Sequence, residues 1–215
     1  MTKGQIVTAP DGEHIVLAEI GQVVLVEDVE VRVWEVSLAP GEVQPWHLHH
    51  NPYLVLCLQA SAGRMDWLDG SAPRFLNETR GGAVFRPTSP VHRLTNIGDS
   101  HYRNRLIEFK AFGENRAADA GAFDAAATTA VPADDAVLSN ELTAVCQIVV
   151  PPAATISVPP AGHPQVLLPL DPAPLADDPT GGVRLIGDRA TDIANSSTHE
   201  QTHLLVELRY LGPAA

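Results

Sequence analysis

Between residues 14 and 110 the chain repeats one short pattern seven times: an apolar run rich in Val, Leu and Ile, closed by turn residues. The runs are HIVLAEI, QVVLVE, VEVRVWEVSL, YLVLCLQA, AVFRP, HRLTNI and NRLIEFK; the breaks include Pro10-Asp11-Gly12, Pro40-Gly41, Asp69-Gly70, Gly81-Gly82 and Gly98-Asp99. Runs of five to ten residues at this spacing read as strands and point to an all-β sandwich or barrel. No stretch before residue 112 has helical periodicity.

Residues 111–135, AFGENRAADAGAFDAAATTAVPADD, break the pattern. They are rich in Ala, Asp and Thr and read as a linker carrying a short helix around 115–127, Ala being the best helix former. Strand-like runs then resume, and they align with the first set. An offset of 112 lays WEVSLAPGEVQPWHLHHNPYLVLCL on CQIVVPPAATISVPPAGHPQVLLPL, with Pro40 on Pro152 and Pro52 on Pro164. An offset of 99 lays NRLIEFK on HLLVELR, with Glu108 on Glu207 and Asn96 on Asn195. Two matches in the right order imply a duplicated β-domain with a shortened second copy. The expected division is a first domain over 1–112, the linker over 113–139, and a second domain over 140–215.

Charge narrows the partners. With 26 acidic and 14 basic residues the formal net charge is −12, a sign that disfavours nucleic acid and anionic membrane surfaces. No apolar run is long enough to span a bilayer, and the first residues lack the apolar core of a secretion signal, so a cytoplasmic location is expected. The two cysteines, Cys57 and Cys146, are expected to remain free thiols.

Three histidines crowd four positions: His47, His49 and His50, in GEVQPWHLHHNPYLVL. On a strand, residues i and i+2 share a face, so His47 and His49 present two imidazoles to one metal while His50 points away unless the strand bulges. A third ligand has to come from elsewhere, and His92 in RPTSPVHRLTN is the candidate. Each histidine taken alone could equally be a satisfied polar residue.

The two stretches together resemble the paired signatures of the cupin superfamily. Gly41 is followed by five residues and then His47-Leu48-His49; Gly81, Pro87, His92 and Asn96 fall at the spacing of the second signature, with Ser89 in its second glycine slot. The resemblance implies a double-stranded β-helix (jelly-roll) barrel, here duplicated, with His47, His49 and His92 holding one divalent metal ion. It also marks two departures. Tyr53 stands in the slot of the usual glutamate, and Ala60 in that of the closing glycine. Such three-histidine cupins include non-haem iron dioxygenases, so Fe(II) is the favoured ion, with Ni, Cu, Zn or Mn as alternatives. The corresponding positions in the second copy are Pro159, Ala161 and Thr191 or Asp192, so that half is expected to be metal-free.

The expected activity is a metal-dependent dioxygenase acting on a small oxygenated or aromatic molecule, with O2 as co-substrate. The alternatives are a lyase or isomerase using the metal as Lewis acid, or a non-catalytic small-molecule-binding cupin. Tyr53 is the candidate proton carrier, against a reading in which it only packs. Arg103 and Arg105 share one face of a late strand and, if inward, would fork a substrate carboxylate; Trp46 is a candidate pocket wall. His50 and Asn51 are expected at the surface or a subunit contact, and a homodimer is expected because cupins often pair through their sheets.

Overall fold

In the computed structural model, residues 3–116, 136–187 and 189–211 are described. The chain divides into two compact units, residues 1–123 and 124–215. The first opens with a two-stranded ribbon of β1 (Ile6–Thr8) and β2 (His14–Val16). A five-stranded antiparallel sheet then runs in the order β3 (Val23–Glu27), β4 (Val31–Leu38), β11 (Tyr102–Phe109), β6 (Tyr53–Gln59), β9 (Ala83–Arg86). A second sheet runs β5 (Val43–His47), β10 (His92–Asn96), β7 (Ala62–Trp67), β8 (Arg74–Asn77). Side chains from both sheets line one interior cavity, so the pair closes as the expected jelly-roll barrel.

The turns explain the signature glycines. Gly41 has φ +79° and Gly81 has φ +77°, in the left-handed region that only glycine enters at no cost. Asn96, the last signature residue, is fully buried. Its Nδ2 donates to Leu38 O (2.9 Å) and Ser100 O (2.8 Å), while its Oδ1 accepts from Ser61 Oγ and Gly98 N. One side chain thereby ties the end of β4 to the turn between β10 and β11.

The second unit repeats the plan. Its five-stranded sheet has the order β12 (Ala136–Ser139), β13 (Thr143–Val150), β18 (Gln201–Leu208), β15 (Gln165–Pro169), β16 (Arg184–Ile186), and β14 (Thr155–Val158) pairs with β17 (Thr191–Ala194). The 112-residue offset carries β4 onto β13 residue for residue, and the 99-residue offset carries β11 onto β18. Asn195 repeats the role of Asn96, with its Nδ2 donating to Val150 O and His199 O, both at 2.8 Å. The offset shrinks because the second copy has no counterpart of the β7–β8 hairpin among the described residues. Its interior is filled instead by Val150, Val158, Leu167, Ile186 and Ile193.

The linker is shorter than expected at its far end, because β12 pairs with β13 and brings 136–139 into the five-stranded sheet of the second unit. Residues 110–112 form one 3-10 turn, and the helix expected at 115–127 lies, from residue 117 on, outside the described residues. Cys57 and Cys146 are unbridged. No helix among the described residues is long and apolar enough to cross a membrane.

Asn96→Ala strands two buried carbonyls, at about 1–3 kcal/mol for each orphaned group. Urea denaturation should show the first unit weakened by about 2–6 kcal/mol, and Asn195→Ala should do the same to the second.

Candidate metal centre

The site begins with a break in strand alternation. In β5, Gln44 is buried and faces the cavity, so His47, three residues on, would by alternation face outward. It does not, because the β5–β10 register shifts: Leu94 pairs with Gln44, but His92 pairs with His47. Two residues, Pro45 and Trp46, stand opposite the single Arg93. This β-bulge turns His47 inward. Proline is tolerated there because a bulged residue owes no N–H to the ladder. In the second unit β14 and β17 pair without a shift, and Val158, the counterpart of Trp46, is itself buried in the core.

His49 does not share a strand with His47, as the sequence implied; β5 ends at His47, and His49 sits in the bend that follows. That bend is clamped from below. Asn51 Nδ2 donates to Glu108 Oε1 (3.2 Å), and Asn51 Oδ1 accepts from Glu114 N (2.8 Å). Glu108 also accepts from Trp34 Nε1 (2.8 Å) and Arg32 Nη1 (3.2 Å). Asn51 is therefore a buried clamp rather than the surface residue expected, whereas His50 is exposed.

His47, His49 and His92 converge, each at most 3% exposed, with ligand-capable atoms all within 4.8 Å of one another. Ring centroids are 4.4 Å apart for His47–His92, 5.2 Å for His47–His49 and 5.3 Å for His49–His92. Among the described residues no other group of three His, Cys, Asp or Glu converges in this way. His47 Nδ1 donates to Pro45 O (2.7 Å) and His92 Nδ1 to Pro90 O (2.8 Å). Each histidine follows its proline by two residues, so the same Pro-x-His device fixes both tautomers. With the proton on Nδ1, each Nε2 keeps a free lone pair, the form a metal ligand needs.

Burial holds all three imidazoles neutral. It pushes His47 down to about 3, with His92 adding repulsion, and His49 well below the usual histidine range; His92 is lowered as well. His49 Nδ1 is buried without a hydrogen-bond partner. Three buried imidazoles that neither bond to one another nor meet an acid are costly as packing alone, and a coordinated divalent cation offsets that cost. The donor set fits such an ion.

Tyr53 stacks on the His49 ring, with centroids 3.9 Å apart and planes at 15°. Its hydroxyl meets Ser89 Oγ at 3.0 Å. The two departures from the cupin signatures thus answer each other: the tyrosine in the glutamate slot is satisfied by the serine in the glycine slot. Burial raises the Tyr53 pKa, which keeps the phenol protonated, while its ring packs on His49.

The cavity, of about 40 Å3, is walled by apolar side chains including Val36, Val55, Met65, Leu76 and Leu94. Beyond the three histidines and Tyr53, sequence reasoning missed its polar members. Asn104 Nδ2 donates to Tyr102 Oη (2.9 Å), and Tyr102 Oη donates to Glu78 Oε2 (2.8 Å). Burial raises the Glu78 pKa, against the hydrogen bond from Tyr102 and the charge of Arg86. Arg86, directly opposite Tyr53 in the β6–β9 pairing, also lines the cavity. The register that turns Asn104 inward turns its neighbours outward. Arg103 Nε donates to Glu35 Oε1 (2.6 Å), and Arg105 pairs with Glu35 Oε2, both away from the cavity. Trp46, on the bulge, is covered by the Arg93 guanidinium (4.9 Å to the ring) and does not line the pocket either.

The described chain has the cupin fold, in duplicate. Solved structures similar to it include AerE from Microcystis aeruginosa, with a TM-score of 0.55 at 8% identity over 83% of this chain and 88% of AerE. An oxalate decarboxylase matches with a TM-score of 0.54 at 9% identity, over 83% of this chain and 69% of that one. A single cupin domain from Bordetella pertussis Tohama I matches at 26% identity over 41% of this chain and 91% of its own length, with a TM-score of 0.39. No family model and no curated protein matches the sequence.

Tyr53→Phe loses only the bond to Ser89 and should cost about 1 kcal/mol. Tyr53→Ala removes a buried ring and the stack on His49 and should cost about 3–5 kcal/mol by chemical denaturation.

Proposed function

We propose that the N-terminal barrel is the working half of a metal-dependent oxidoreductase, a dioxygenase of the non-haem Fe(II) type acting on a small organic substrate. The observation that carries this reading is the set of three neutral imidazoles, without a carboxylate among them, at the wall of a largely apolar cavity. A divalent ion held by His47, His49 and His92 would supply open coordination positions and Lewis acidity. Both atoms of O2 would enter the organic product, so no external reductant is required. The Bacillus subtilis oxalate decarboxylase, similar in fold at 10% identity, has Mn(II) centres, which supports a divalent ion in general rather than iron in particular.

The protein's own groups divide the remaining work. Tyr53 and the Asn51–Glu108 clamp hold His49; the apolar walls exclude water. Glu78, its raised pKa set by burial and its orientation by Tyr102, takes the proton that a substrate hydroxyl or acidic C–H gives up. The same Glu78 favours, as second reading, a lyase or isomerase in which proton transfer is the whole reaction.

Protein purified without a histidine tag should contain one divalent ion per chain. His47→Ala or His92→Ala should weaken its binding by at least about 100-fold, read by elemental analysis and metal titration. A chain without metal, indifferent in thermal stability to added Fe, Mn, Ni or Zn, overturns the reading. Oxygen uptake against diketones, catechols and hydroxy acids separates the two activities.

Glu78→Gln should leave metal content unchanged and slow turnover by about 100- to 10,000-fold. The base form is the deprotonated one and burial raises the pKa. Wild-type activity should therefore climb with pH through a range above that of an ordinary carboxylate. That limb should vanish in Glu78→Gln.

A further inference from the structure

On a chain of formal net charge −12, most described basic groups are spoken for: Arg32, Arg93, Arg103 and Arg105, for example, are each paired with a carboxylate. Arg86 and Arg74 are different. Among the described residues Arg86 makes neither an ion pair nor a hydrogen bond, and Arg74 is held only by stacking over the Trp67 ring at 5.2 Å. Both lie beside the histidines. Arg86 stands opposite Tyr53, and Trp67, on which Arg74 rests, packs edge-on against His92 with centroids 5.5 Å apart.

The place they occupy has room for a ligand. Next to the 40 Å3 histidine cavity is a cleft of about 260 Å3, and the two share Val55, Leu76, Glu78 and Arg86 as lining. Arg74 lines the cleft alone. A half-buried guanidinium without a partner is costly to the apo protein, and its planar fork matches a carboxylate. Glu78 feels the charge of Arg86 without forming an ion pair with it, and its Oε2 accepts from Tyr102. On the same wall Glu78 opposes a doubly charged phosphate more than a singly charged acid.

We propose that Arg86, with Arg74 at the rim, is a carboxylate-binding subsite, and that the substrate is a small organic acid. Its carboxylate lies in the cleft bordered by β8 and β9, and its reacting end reaches into the histidine cavity. The second half of this statement rests on the metal-dependent reading of that cavity; the subsite itself does not. The apolar members of the walls, Val55 and Leu76 among them, select a short apolar body behind the acid group, and the two arginines steer the anion toward a molecule whose overall charge repels it.

Calorimetric titration with pyruvate, 2-hydroxybutyrate, benzoate, the amide of each, and inorganic phosphate tests the subsite. At least one acid should bind, its amide at least about tenfold more weakly. Arg86→Gln should erase that preference, Arg86→Lys should restore part of it, and Arg74→Gln should weaken the acid and reduce its salt dependence. Circular dichroism checks each variant's fold; should Arg86→Gln not fold, the acid–amide difference in the unaltered protein and the Arg74→Gln titration still decide. Equal binding of acid and amide, tighter binding of phosphate than of any acid, an unchanged Arg86→Gln, or no binding of any acid overturns the subsite. Metal content is measured on the same samples: acid binding that persists in protein unable to hold metal removes the oxidoreductase reading and leaves the subsite standing.

Discussion

A strand alternates its side chains, so a barrel wall that buries Gln44 should expose His47. The bulge of Pro45 and Trp46 opposite Arg93 breaks that alternation, and the N-terminal barrel is organised around the break. It turns His47 toward His92 across the β5–β10 ladder, and it supplies, in Pro45, the carbonyl that fixes the His47 tautomer. It also ends β5 early enough for His49 to reach the cluster from the following bend. Three imidazoles are thereby removed from water as neutral bases with lone pairs facing one another, an arrangement that is costly unless a cation is shared among them.

The second barrel acts as a control within the same chain. It keeps the strand order of the five-stranded sheet, the register of its central pair and the buried asparagine, since Asn195 makes the bonds of Asn96. Among its described residues β14 and β17 pair without the bulge, and the β7–β8 hairpin has no counterpart. Val158 fills the interior where the first barrel makes way for His47, and Ile193 stands in the place of Leu94. The same strand arrangement thus forms around an apolar core without the cluster, and the polar interior of the first barrel is an addition to it rather than a requirement of it.

Much of this was legible in the residues. The resemblance to the cupin signatures joined His47-x-His49 to distant His92, and the offsets of 112 and 99 located the strands that became β13 and β18, because strand length and turn position are local properties. What was not legible depends on which way a strand faces. Arg103 and Arg105 were as consistent with an inward face as Tyr102, Asn104 and Leu106; only pairing to β4 and β6 settles the phase. Glu78 and Arg86 escaped notice because each enters the cavity from β8, β9 or the turn between them, whose alignment to Tyr53 is a long-range fact. One signal was available: Pro-x-His occurs at both ligand positions, and Ser89 departs from the signature just where Tyr53 does.

The central claim is that three imidazoles, and no protein carboxylate or thiolate, hold the ion. X-ray absorption at the metal edge of Fe(II)- or Mn(II)-loaded protein tests it most directly. The account predicts a first shell containing the scattering of three imidazole rings, completed by water oxygens and free of sulfur, with His49→Ala reduced to two rings. Fewer than three imidazoles in the unaltered protein, or a spectrum unchanged by His49→Ala, would contradict it.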